Sequence, residues 1–165
     1  HLLATFGGYD ENKITETLLE QLAKINSKLK TKIILGPSTI TSKKIRMFEK
    51  KLGGHVEIVK QTKNMYNEMI STEFGLCSGG ITSYEFATLG VPFAIVSQVK
   101  HQLKTAKEWD RRGTALNLGL VNDKTPQKIR RFLQLVAQKK VPHPRNLTLD
   151  GRGVKRVAKE ILQLH

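Results

Sequence analysis

Short apolar runs alternate with helical-period segments along the 165 residues, the pattern of a parallel sheet whose strands are joined by crossover helices. Residues 2–6, LLATF, read as a first strand ending in Gly7-Gly8. Asp10 or Asn12 can cap a helix in which Ile14, Leu18, Leu22, Ile25 and Leu29 recur every three or four positions. KIIL, residues 32–35, is a second strand closed by Gly36-Pro37. A helix over 41–52 follows, basic outside with Ile45, Phe48 and Leu52 inside, and Gly53-Gly54 ends it. A third strand spans 55–59, and a short helix over 64–70 bears Met65 and Met69. Residues 74–77 make a fourth strand, 82–89 a helix that Gly90 stops, and 91–97 the fifth and most apolar strand. A helix over 101–112, a weak sixth strand over 115–118 and a helix over 125–138 with Pro126 in its first turn complete the alternation. VPHPRN, residues 141–146, is a proline-stiffened connector to a last amphipathic helix over 150–164. Asp150 or Gly151 starts that helix, with Val154, Val157, Ile161 and Leu164 on its apolar side. The expected architecture is one doubly wound, Rossmann-like α/β domain with a parallel sheet of about six strands.

Composition adds charge to this picture. Hydrophobic residues make up 39%, aromatics 6% and charged residues 25%, which suits a globular domain rather than a disordered chain. No apolar run approaches the roughly 20 residues needed to cross a bilayer. The formal charge is +14, with basic residues clustered at 43–51, 104–112 and 152–159. Such an excess can attract nucleic acid, an anionic membrane face or an acidic small molecule. These residues lie on the polar faces of helical patterns, and no RRM, KH, zinc-finger or aromatic-interleaved signature accompanies them. A solvated basic surface, with peripheral membrane association and no dedicated nucleic-acid binding, is the expectation. The lone Cys77 excludes an intramolecular disulfide, and with histidines at 1, 55, 101, 143 and 165 showing no HExxH spacing, no metal site and no cofactor are expected. A reducing, cytoplasmic setting fits. The chain opens at His1 inside an apolar run, as a strand entered from preceding residues would, so a fragment of a larger protein is expected.

The chemistry concentrates where two strands end in glycine pairs. In an open parallel sheet, ligands bind at the carboxyl ends of the strands. At Gly7-Gly8 and Gly79-Gly80 the missing Cβ atoms would let backbone N–H groups approach a phosphate, and a following helix adds partial positive charge. Ser78, Thr82 and Ser83 set hydroxyls around the second pair, and Glu85, about one turn on, is spaced to accept from ribose hydroxyls. The same stretch, SGGITSYE, also fits ordinary helix capping, because Ser, Thr and a first-turn Glu all favour helix starts. Neither GxxxxGK[ST] nor GxGxxG occurs, which argues against a nucleoside triphosphatase or a simple dinucleotide domain. His101 and Gln102, opening the helix after the fifth strand, lie at the same sheet edge; they suit sugar hydroxyls or a phosphate, or are polar helix-start residues. Trp109 and the pair Met65 and Met69 read as core, Cys77 as a buried strand residue, His55 as structural, and Asp10 as a turn residue or cap. Asn146-Leu147-Thr148 matches a glycosylation acceptor that a cytoplasmic chain would not use.

Taken together, FGG at 6–8, SGGITSYE at 78–85, LGVP at 89–92, and HQ at 101–102 before A-x-x-W-x-x-x-G at 106–113 resemble the carboxy-terminal domain of GT-B nucleotide-sugar enzymes. The resemblance runs to about residue 120. It is closest to the group holding the peptidoglycan N-acetylglucosamine transferase, the pseudaminic-acid pathway nucleotide-sugar hydrolase and the spore-coat polysaccharide proteins. It implies donor binding of a nucleotide-sugar, a UDP-sugar above all. Gly7 and Gly8 would border the diphosphate, Ser78, Gly79 and Gly80 would hold a phosphate, Thr82 would lie along the nucleotide, and Glu85 would grip the ribose. Gln102 with His101 would reach the sugar, and the base would sit near Gln61 and Met65. GT-B enzymes use two such domains, so a missing amino-terminal domain is implied, and no general base is found in this half. Two rivals remain: a non-catalytic basic α/β module binding nucleic acid, and an epimerase of the related non-hydrolysing type.

Overall fold

The structure, a computed structural model, describes residues 1–144 and 149–163. Six strands pair in parallel in the order β3-β2-β1-β4-β5-β6, a doubly wound sheet as expected. They are β1 (Leu2–Thr5), β2 (Thr31–Leu35), β3 (Val56–Lys60), β4 (Phe74–Cys77), β5 (Phe93–Ser97) and β6 (Ala115–Leu120). Four of them, β1, β2, β4 and β5, are buried almost throughout. Burial on both faces explains why they read as continuous apolar runs.

The helices are α1 (Ile14–Lys24), α2 (Lys43–Leu52), α3 (Met65–Ile70), α4 (Ile81–Thr88), α5 (Lys100–Arg111), α6 (Thr125–Ala137) and α7 (Gly153–Gln163). Leu18, Leu22, Ile45, Phe48, Ile129 and Phe132 of α1, α2 and α6 form the core on one face of the sheet. Met69, Phe86, Ala87, Ala106 and Trp109 of α3, α4 and α5 form it on the other. Gly75 lets α4 sit close: a Cβ there would stand 2.8 Å from the Phe86 ring, which stacks on Phe93 with centroids 5.6 Å apart.

Three local readings change. Leu29 continues the apolar period of α1, but the helix ends at Lys24; Asn26 turns the chain through a positive φ of 46°, and Leu29 packs on the core from the turn. His55 belongs to a short 3-10 turn over Gly53–His55 rather than to β3. In α7, Val154, Val157 and Ile161 are exposed. Leu164, Asn146, Leu147 and Thr148, with part of the connector, lie outside the described residues. Among the described residues, no helix is long and apolar enough to cross a membrane, and no group of His, Cys, Asp and Glu could hold a metal ion.

Candidate functional site

Strands β1 and β4 are neighbours, but their crossovers run to opposite sides of the sheet, so the strand order reverses between them. The turns after two such strands diverge and leave a crevice at their carboxyl ends. The two glycine pairs read from the sequence are those turns. Gly7 takes a positive φ of 83°, and a Cβ on Gly7, Gly8 or Gly80 would meet nothing within 4 Å. All three therefore present open backbone.

Each turn is braced from outside. Gly36, after β2, lies against the carbonyls of Gly7 and Gly8 so closely that any Cβ would collide with both. Ser38 N–H donates to the Gly8 carbonyl at 3.0 Å. On the other side, a Cβ on Gly79 would stand 2.8 Å from the Gln102 carbonyl oxygen and 2.9 Å from Gln102 Cβ. Gly79 is thus required by the close approach of α5, whereas Gly80 is bare towards the crevice.

Helix tips decide where an anion is favoured. Both Asp10 carboxylate oxygens accept from α1, from Ile14 N–H at 2.9 Å and Thr15 N–H at 2.7 Å. That tip already has its negative charge, and Asp10 is the cap. The start of α4 at Gly80 has no side-chain cap, so the positive end of its dipole is left without a protein anion.

The hydroxyls divide by role. Ser83 is fully buried; its Oγ donates to the Gly80 carbonyl at 2.7 Å and accepts the Trp109 indole N–H at 3.2 Å. Ser83 holds the turn from behind, with Trp109 in the core. Ser78 is buried at the end of β4, and its Oγ accepts from Gln98 Nε2 at 2.9 Å. Thr82 is half-buried and lines a cleft of 370 Å³ together with Gly7, Gly36, Gln61 and Met65. The residues placed on the base side of the sequence reading therefore share one cleft with the first glycine turn.

Glu85 borders a second groove of 300 Å³, with Tyr66, Met69 and Tyr84, which lies along the same two helices, α3 and α4, that give Met65 and Thr82 to the first cleft. Its carboxylate is exposed and has no hydrogen-bond or ion-pair partner among the described residues. Burial pushes the Cys77 thiol well above its usual range, and the Glu85 charge adds to this, so Cys77 is an inert strand residue. His101 is exposed at the start of α5, whereas Gln102 is half-buried and its Oε1 accepts from Gln98 N–H at 2.8 Å. A smaller pocket of 190 Å³ between α1 and α2 is lined by three carboxylates, Asp10, Glu11 and Glu16, against one lysine, Lys13, a balance that would repel a phosphate.

Two residues in this region were not singled out from the sequence. Gly36 reads as punctuation after a strand, and its need appears only when two turns are folded together. Gln98 follows β5 as an ordinary polar loop residue, yet it spans the crevice floor, its Nε2 donating to the Phe6 carbonyl at 2.7 Å and to Ser78.

No family model matches the chain. It is 29% identical over 180 residues to the spore coat polysaccharide biosynthesis protein SpsG of Bacillus subtilis, covering 100% of this chain and 50% of that protein. The chain thus spans about half the length of this curated relative. Among solved structures, S. aureus MnaA in its co-structure with UDP superposes with a TM-score of 0.65 at 14% identity, over 97% of this chain and 45% of that one. The spinosyn rhamnosyltransferase SpnG superposes with a TM-score of 0.59 at 16% identity, over 83% of this chain and 36% of that one. The fold is that of one half of a GT-B enzyme. This agrees with the resemblance carried by the glycine and A-x-x-W motifs.

Proposed function

We propose that this chain binds the diphosphate part of a nucleotide-sugar donor, a UDP-sugar, in the crevice between the turns after β1 and β4. It would act as half of a glycosyltransferase or nucleotide-sugar hydrolase in the biosynthesis of surface polysaccharide or glycoconjugate. One observation carries this reading: bare backbone at Gly7, Gly8 and Gly80 flanks the point where the strand order reverses, beside a helix tip that no side chain caps. The relationship to SpsG and the UDP bound in the MnaA co-structure support it.

In this reading the amides at the start of α4 and the Ser78 hydroxyl meet the phosphates. The cleft of Gly7, Gln61, Met65 and Thr82 takes the nucleoside, Glu85 accepts from the ribose, and the Gln102 amide with His101 faces the sugar. As the sugar–phosphate bond breaks, negative charge grows on the departing diphosphate, and preformed N–H donors stabilise it. The reading asks for no metal to meet that charge. Ser83 and Gly79 contribute by holding the turn. No residue of this half is matched to an acceptor as a general base, so turnover would need a second domain, and this chain alone is expected to bind without turning over.

Calorimetry tests this. UDP and UDP-N-acetylhexosamines should give saturable heat that Glu85→Ala weakens. A steep salt dependence with nucleic acid, indifferent to Glu85, would favour the non-catalytic basic module instead. An absence of binding to any nucleotide would end the proposal.

A cytoplasmic location suits the single, buried Cys77 thiol. Lys100, Lys104 and Lys107 lie exposed along one edge of α5 with no ion-pair partner among the described residues. They supply a cationic stripe that would attract the protein to an anionic membrane face. Sedimentation with anionic vesicles at low salt, reversed at high salt, is the expected outcome; no sedimentation at any salt would remove this part.

A further inference from the structure

We propose that Gln98 is a positioning residue that turns the Ser78 hydroxyl into a one-way donor towards an anionic phosphate in the crevice; this rests on the nucleotide reading above. The Phe6 carbonyl can only accept, so the side-chain atom 2.7 Å from it must be the amide nitrogen Nε2. That assigns the other Nε2 hydrogen to Ser78 Oγ at 2.9 Å. Both amide hydrogens of Gln98 are then engaged, one at the end of β1 and one at the end of β4, across the point where the strand order reverses.

The consequence falls on Ser78. An oxygen that accepts from Gln98 must direct its own proton elsewhere, and no acceptor for that proton is found among the described residues. Ser78 is only 5% exposed and precedes Gly79-Gly80, so the remaining direction is the crevice mouth. A donor that itself accepts a hydrogen bond is polarised and donates more strongly. Gln98 is in turn fixed at its backbone, its N–H donating to Gln102 Oε1 at 2.8 Å. The contact thereby transmits the position of the α5 start to the phosphate site.

Reversal of the polarity tests this. Gln98→Glu would place an acceptor against Ser78, draw the hydroxyl proton inward and aim lone pairs at the phosphate. Gln98→Met keeps the length and removes the donor. UDP affinity should fall about ten-fold or more in both variants, while uridine, which lacks phosphate, should bind within about two-fold of wild type. Ser78→Ala should show the same phosphate-selective loss, and Ser78→Ala with Gln98→Met should lose no more than the worse single variant. Retained uridine binding shows that the variants fold. If wild type binds UDP and the Gln98 variants bind it equally well, or if the two losses add, the inference is overturned while the nucleotide reading stands. If wild type binds neither ligand, the nucleotide reading itself fails.

Discussion

The indole N–H of Trp109 donates to the Ser83 hydroxyl across 3.2 Å, and Ser83 donates on to the Gly80 carbonyl at 2.7 Å. Two sequence motifs some 25 residues apart, SGGITSYE and A-x-x-W, are therefore one structure: the second holds the first. Tyr84 adds an edge-on contact with the same indole, its ring centroid 5.0 Å away. A short helix start is thereby pinned to the core by a buried aromatic.

Trp109→Phe keeps most of the apolar volume and removes the donor. It should lower stability by about 1 kcal/mol, read from denaturant unfolding. Ser83→Ala leaves the buried indole N–H without a partner, while the Gly80 carbonyl keeps the Ser83 backbone N–H at 3.1 Å, so it should cost more, about 1–3 kcal/mol. A larger loss in Trp109→Phe than in Ser83→Ala would contradict the arrangement.

The glycines separate into those that close packing requires and those that do not. Gly36→Ala would drive a methyl into two backbone carbonyls that cannot yield, and Gly79→Ala into the start of α5. Each should destabilise the fold by at least about 2 kcal/mol. Gly8→Ala enters open space and should leave the stability within about 0.5 kcal/mol of wild type. Equal effects at positions 8 and 36 would refute the turn-on-turn contact.

Lys32 of β2 donates to Glu68 of α3 at 3.0 Å, and this hydrogen bond raises the lysine above its ordinary value of 10.5. A group whose folded pKa is raised contributes stability that is complete below the unfolded value and is lost as pH climbs through the folded one. The strut between β2 and α3 should therefore weaken only in alkali, above about pH 10.5. Thermal unfolding scans from pH 7 to 11 should show a fall steeper in wild type than in Lys32→Met. Parallel curves would show that the strut contributes nothing.

Much of the sheet was legible because its strands are buried on both faces. Runs such as residues 74–77 have no polar position to blur them, and β4 has those bounds. Where the reading drifted, the apolar period outlasted the helix: Leu29 keeps the spacing of α1 but faces the core from a turn. The glycine pairs could be read as a ligand edge because strand ends and helix starts have local signatures. The division of labour within them could not. Ser83 and Ser78 look alike in sequence, and only the folded positions of Trp109 and Gln98 show that one hydroxyl is engaged on both sides while the other, among the described residues, only accepts. Gly36 and Gln98 act between segments distant in the chain, so no local pattern marks them.

The most direct measurement is the affinity for UDP of wild type and of a Gly80→Ala and Gly80→Val series, beside their unfolding midpoints. Gly80 has an extended backbone and open space where a Cβ would stand, so both side chains should leave stability near wild type. If phosphate rests on the bare amides there, affinity falls stepwise from Gly to Ala to Val. Unchanged UDP affinity across a stable series would contradict the account.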